Sequence, residues 1–175
     1  SRATTNECNI IQSAIELSPE KNALVVYDEG FGLTDILVAA YRTALPNAKF
    51  INFNTTDKSE IIKMFDSMEA EDLVVLIQST NFLLNEFRIR LHLFEKRLKV
   101  IEHLHLTRNC KEVWDVYIDS LEYDKSYYRV IGPQLQLVLA NCKTLKVVSG
   151  DATLVVENGL EYPKLNIGDY SGMEN

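Results

Sequence analysis

The sequence predicts an α/β fold: an open, mainly parallel sheet with helices on both faces, a Rossmann-like or flavodoxin-like three-layer arrangement, with a late β-hairpin. Three observations predict it. Short apolar runs recur at residues 24–27, 49–53, 72–77 and 99–101, three of them rich in β-branched side chains. Stretches with helical apolar spacing separate these runs, the alternation that builds a parallel sheet. From Thr144 the pattern changes to two β-runs and the turn pair Asn158-Gly159.

In chain order, Ser1 to Thr5 are set aside as a terminal remnant. Residues 6–17 read as a helix with Ile10, Ile11, Ala14, Ile15 and Leu17 on one broad face, stopped by Ser18-Pro19. The first strand runs into D-E-G-F-G-L-T-D, where Thr34 offers an N-cap for the periodic run Ile36, Leu37, Ala40, Tyr41. After the second strand, Thr56 or Asp57 caps a helix with Ile61, Ile62, Phe65 and Met68 inward. The third strand delivers the polar patch Gln78, Ser79, Thr80, Asn81. A helix over 82–97 follows, with an apolar stripe of Leu83, Leu84, Phe87, Leu91 and Phe94. Arg88, Arg90, Lys96 and Arg97 give it a solvated basic face.

The fourth strand enters Glu102-His103-Leu104-His105-Leu106, and Thr107 can cap a helix carrying Val113, Trp114, Tyr117 and Ile118. Residues 127–141 are amphipathic, with a kink or restart expected at Gly132-Pro133. Residues 145–148 and 153–157 read as strands. Asn158-Gly159 predicts a type I′ turn returning residues 160–165 as a partner strand. The closing N-I-G-D-Y-S-G-M-E-N reads as a loop.

Composition bounds the function. The chain has 175 residues, 46% hydrophobic and 25% charged, enough apolar material for a true core. The net charge of -7 argues against nucleic acid or an anionic membrane as partner, since both need a cationic face. No apolar run is long enough to span a bilayer and no leader pattern opens the chain. Cys8, Cys110 and Cys142 are far apart and form no C-x-x-C, as expected of reduced thiols in a cytoplasmic protein.

Strand-end loops are where open α/β sheets bind ligands. Asp28, Glu29, Gly30 and Gly32 follow the first strand. Asp28-Glu29 suits a cation or a ligand amine, or a solvated turn. The loop is no phosphate cradle: it lacks the third glycine of a dinucleotide fingerprint and the Lys-Ser/Thr of a P-loop, and adjacent acids repel phosphate. Ser79, Thr80 and Asn81 end the third strand. Glu102, His103 and His105 end the fourth, with Arg108 and Asn109 placed to bind a carboxylate. Two residues apart in an extended segment, His103 and His105 share a face and could meet one metal, but no third ligand can be named and none is assigned. The plainer alternative is histidines packed and hydrogen-bonded at a strand end. No G-x-S-x-G, H-E-x-x-H or Cys–His signature is present, so no catalytic residue is assigned.

Four stretches carry a resemblance: S-P-E-K-N-A-L-V-V-Y-D-E, I-E-H-L-H-L-T-R-N, Y-I-D-S-L-E-Y-D-K-S-Y-Y-R-V-I-G and L-N-I-G-D-Y-S-G-M-E-N. Together the chain resembles the amino-terminal part of the leucyl aminopeptidase family of the aminopeptidase T type, metal-dependent exopeptidases. The resemblance implies an amino-terminal α/β domain, residues 6–143, and a hairpin and connecting segment, residues 144–175, leading to a missing carboxy-terminal domain. That later domain would hold a pair of divalent metal ions on Glu, His, Tyr and Asp ligands and act on peptide substrates. No such ligand carries over onto this chain, which would hold no cofactor and be inactive alone, with a tendency to form a homodimer. The competing expectations are a stand-alone small-ligand-binding or regulatory module, and an interaction domain that pairs with another subunit.

Overall fold

The computed structural model describes residues 1–82 and 89–172. Leu83, Leu84, Phe87 and Arg88 of the expected apolar and basic faces lie outside the described residues. The chain forms two compact units, Asp124–Asp169 and the remainder, which comprises Ser1–Tyr123 and the stretch from Tyr170.

The first unit is built on a four-stranded sheet of β1 (Ala23–Tyr27), β2 (Lys49–Asn52), β3 (Leu73–Ile77) and β4 (Lys99–His103). The order is β2-β1-β3-β4 and every pairing is parallel. Val25 sits beside Phe50 on one side and Val75 on the other, and Val75 beside Ile101. Successive side chains point to opposite faces, so each strand feeds two cores. Val25, Leu73, Val75 and Ile77 pack with α1 (Arg2–Asn9), α2 (Gly32–Ala44) and α5 (Trp114–Asp119). Leu24, Val26, Val74 and Leu76 pack with α3 (Lys58–Ser67) and α4 (Ile89–Glu95). Both faces are therefore covered, and β3 is buried along its whole length.

Several local expectations change. Arg2 to Thr5 are helical, with Ser1 as the N-cap: its Oγ accepts from Thr4 N–H at 3.2 Å, and Ala3 enters the core. Helix α1 continues as a π turn, Ile10–Ile15, and ends at Glu16 in the left-handed region, with Lys99 Nζ donating to Ile15 O. Thr34 is not a cap. Helix α2 starts earlier, with Phe31 as the extended N-cap residue, and Thr34 is buried inside it. Asp57 caps α3 as expected, accepting from Ser59 N–H at 2.8 Å. Thr107 does not start a long helix. It lies in a 3-10 turn, Leu106–Arg108, and its hydroxyl donates to Ser79 O, so helical winding resumes only after Cys110.

In the second unit, α6 (Lys125–Ala140) is capped by Asp124 and runs through Pro133 as one helix, without restarting. The antiparallel hairpin is β5 (Thr144–Ser149) against β6 (Ala152–Glu157), turning at Gly150-Asp151. Asn158 and Gly159 do take positive φ, 69° and 81°, but no return strand follows them. Residues after them lie along α6 instead. Gln136 Nε2 donates to Pro163 O at 2.7 Å, and Arg129 pairs with Asp169. Gly132 permits this, because a Cβ there would stand 2.6 Å from Ile167 Cγ2. Within the first unit, Tyr170 N–H donates to Ala14 O.

Candidate functional site

The strand order reverses between β1 and β3, because α2 carries the chain outward to β2 and α3 carries it back past β1. Ligand crevices of open sheets form outside the carboxyl ends at such a reversal. Asp28 and Ser79 meet there. Ser79 N–H donates to both carboxylate oxygens of Asp28, at 3.0 and 2.9 Å, and Ser79 Oγ donates to Oδ2 at 2.7 Å. Asp28 is buried, and these bonds offset its desolvation. Its carboxylate is thereby committed to the protein.

The other loop ends are laced to this pair. Thr107 N–H and Oγ donate to Ser79 O, Leu106 N–H donates to Gln78 O, and His105 N–H donates to Thr80 O. Glu29 is exposed, and its N–H reaches Asn54 Oδ1. Gly30 takes φ +94° with open space around it, so its role is conformational. Gly32 serves close approach: a Cβ there would stand 2.6 Å from the Trp114 ring. The Trp114 indole N–H in turn donates to Asn109 O.

On the α4 side, a groove of about 440 Å³ opens beside the ends of β3 and β4, lined by Gln78, Asn81, Phe82, Arg90, Glu102 and His105 among the described residues. Glu102 pairs with Arg90 there. Arg108 is exposed in its 3-10 turn.

Glu102 and His103 occupy opposite faces of β4. His103 is 2% exposed and its ring nitrogens are both engaged, Nε2 with Tyr41 OH at 2.9 Å and Nδ1 with Tyr117 OH at 2.8 Å. His105 leaves the extended path at φ 53°, after β4 has ended. The alternation argument for two imidazoles on one face applies only while the strand continues. Among the described residues no group of three His, Cys, Asp or Glu could hold a metal.

Sequence reasoning missed Glu7, which lies beside this histidine. Its Oε1 is 3.8 Å from His103 Nε2, the residue is closed from water, and neither carboxylate oxygen has a hydrogen bond of good geometry. Burial raises its pKa to about 7, and the nearby Tyr41 hydroxyl offsets part of that rise. Burial lowers His103 to about 4. Burial, and then the Glu7 charge, hold Tyr41 well above its ordinary value and bring Tyr117 to about 12. Between the His103 and Glu7 values, on the acid side of neutrality, the contact is therefore mostly a carboxylic acid facing a neutral imidazole rather than an ion pair. The available signal was spacing: Ala3, Glu7 and Ile11 lie four residues apart, which puts an acid on the helix's core face.

No family model, curated protein or solved structure matches this chain.

Proposed function

We propose that this chain is the amino-terminal, non-catalytic part of a larger cytoplasmic, metal-dependent leucyl-aminopeptidase-like protein. Its α/β unit would be the scaffold, and its second unit the beginning of the part that meets the catalytic domain. The observation that supports the reading is the hairpin β5–β6. Val147 and Leu154 pair across one face and are 46% and 59% exposed. Val148 and Val155 lie on the other face at 62% and 49%. One face is apolar, with Leu145, Val147, Leu154 and Val156, while the other sets Val148 and Val155 among Thr144, Lys146, Thr153 and Glu157. An exposed apolar face suits packing against further chain, and an isolated hairpin is only marginally stable in water. On α6, Val130, Leu135, Leu137 and Val138 are likewise exposed. Among the described residues, no hydrophobic side chain of this unit falls in the buried class. Chain from a further domain would cover these surfaces.

The test compares the 175-residue chain with the full product of its reading frame on leucyl-anilide substrates, with added zinc, manganese or cobalt. The longer protein should release the amine in a metal-dependent way, and the shorter chain should not. The short chain should also self-associate through its uncovered faces. Turnover by the short chain, a reading frame that stops near Asn175, or a longer protein without peptidase activity would each overturn the proposal.

A further inference from the structure

Gln78 is the first residue past β3, and its backbone is fully used: its N–H donates to His103 O and its carbonyl accepts from Leu106 N–H. The residue is 2% exposed, and its Oε1 accepts from Phe82 N–H at 2.8 Å. That bond fixes which end of the amide is oxygen, because the nitrogen end cannot accept. The Nε2 end carries two N–H donors, is closed from water and has no hydrogen-bond partner. A buried donor without an acceptor is costly.

This donor belongs to the wall of the groove beside β3 and β4. Leu76 stands next to Glu102 in the sheet register, and both line the groove. Gln78 follows Leu76 by two residues, so it shares their face. Strands about 4.8 Å apart with a rise of about 3.3 Å per residue put the roots of Gln78 and Glu102 roughly 8 Å apart, near enough for one small group to touch both side chains. Leu76, Phe82 and Ile89 give the same groove an apolar floor. Glu102 Oε2 is paired with Arg90, and a carboxylate keeps acceptor capacity beyond one such bond.

We propose that this groove binds an uncharged amide or lactam with an apolar body, whose carbonyl oxygen accepts from Gln78 Nε2 and whose N–H donates to Glu102. Charge selects that class. A carboxylate ligand would satisfy Gln78 but set a second anion beside Glu102, whose charge Arg90 already balances. An ammonium ligand would suit Glu102 but leave the Gln78 donor unmet and bring a second cation to Arg90. A neutral amide offers one acceptor and one donor, the complement of the two groups, and its apolar body covers Leu76, Phe82 and Ile89. The site stands apart from the aminopeptidase-like reading.

The experiment is nitrogen NMR of the 175-residue chain labelled at glutamine side chains, titrated with benzamide as a primary amide and valerolactam as a lactam. Benzoate and benzylamine are the charged counterparts. At least one neutral probe should shift the Gln78 side-chain signals saturably, and the stronger of the two tells primary amide from lactam. Benzoate and benzylamine should leave those signals in place. Gln78→Met, which removes the donor and assigns the signals, should weaken the neutral probe about tenfold or more. Glu102→Ala frees Arg90 and should invert the preference, so that benzoate binds ahead of benzamide. It decides the matter if Gln78→Met does not fold. Gln78 signals unmoved by both neutral probes, benzoate or benzylamine moving them as strongly, undiminished binding in Gln78→Met, or benzamide still ahead of benzoate in Glu102→Ala would overturn the site.

Discussion

Glu7 Oε1 lies 3.8 Å from His103 Nε2 with both residues shut away from water, and burial drives the acid up to about 7 and the imidazole down to about 4. The two shifts act oppositely on stability. Between about pH 4.5 and 6.5, Glu7 binds a proton in the folded state that it lacks unfolded, so its contribution falls as pH rises. His103 lacks a proton in the folded state that it holds unfolded, so its contribution rises as pH rises. The slopes cancel in that window.

Glu7→Gln therefore should gain on the wild type as pH rises. The stability difference should grow by up to about 1.4 kcal/mol per pH unit between about pH 5 and 7, and level off above that. Urea unfolding at a series of pH values measures it. A difference independent of pH would show that Glu7 ionises normally in the fold.

The bonds from Ser79 to Asp28 fasten the loop after β3 to the end of β1. Asp28→Ala removes the acceptor and strands a backbone N–H, which should cost about 3 kcal/mol; Ser79→Ala removes one bond and should cost about 1 kcal/mol. Denaturant midpoints of the two variants should fall in that order. Equal losses would mean that the Ser79 hydroxyl, rather than its N–H, holds the carboxylate.

Gly30 and Gly32 are two residues apart and required for different reasons. Gly32→Ala forces a methyl into the Trp114 ring and should cost about 1 to 3 kcal/mol, a cost that shrinks in a Trp114→Leu background. Gly30→Ala meets no atom, and its cost of about 1 to 2 kcal/mol comes from φ +94°, so Trp114→Leu should not relieve it. A double-mutant cycle separates the two.

Hydrogen exchange should divide along the two units. Amides of β1 and β3, buried on both sheet faces, should exchange through the most global opening. Amides paired between β5 and β6, with little buried side chain beneath them, should open at a lower free energy. Equal protection in both would remove the argument that the hairpin awaits a cover.

The sequence by itself determined the sheet. Parallel strands buried on both faces must be short, apolar and joined by helices, and that requirement is local enough to read at residues 24–27, 72–77 and 99–101. It also placed Asp28 and Ser79 at strand ends, since strand ends follow from strand positions. Tertiary structure alone decided that the two bond to each other, because strand order, not sequence distance, makes β1 and β3 neighbours. The same holds for Pro163, which lies along α6 where local turn chemistry at Asn158-Gly159 predicted a return strand. It holds most of all for Glu7 and His103, 96 residues apart (103 − 7), whose shifts come from burial where α1 packs in the core. Propensity and periodicity describe a residue's own segment, whereas desolvation is set by whatever else packs against it.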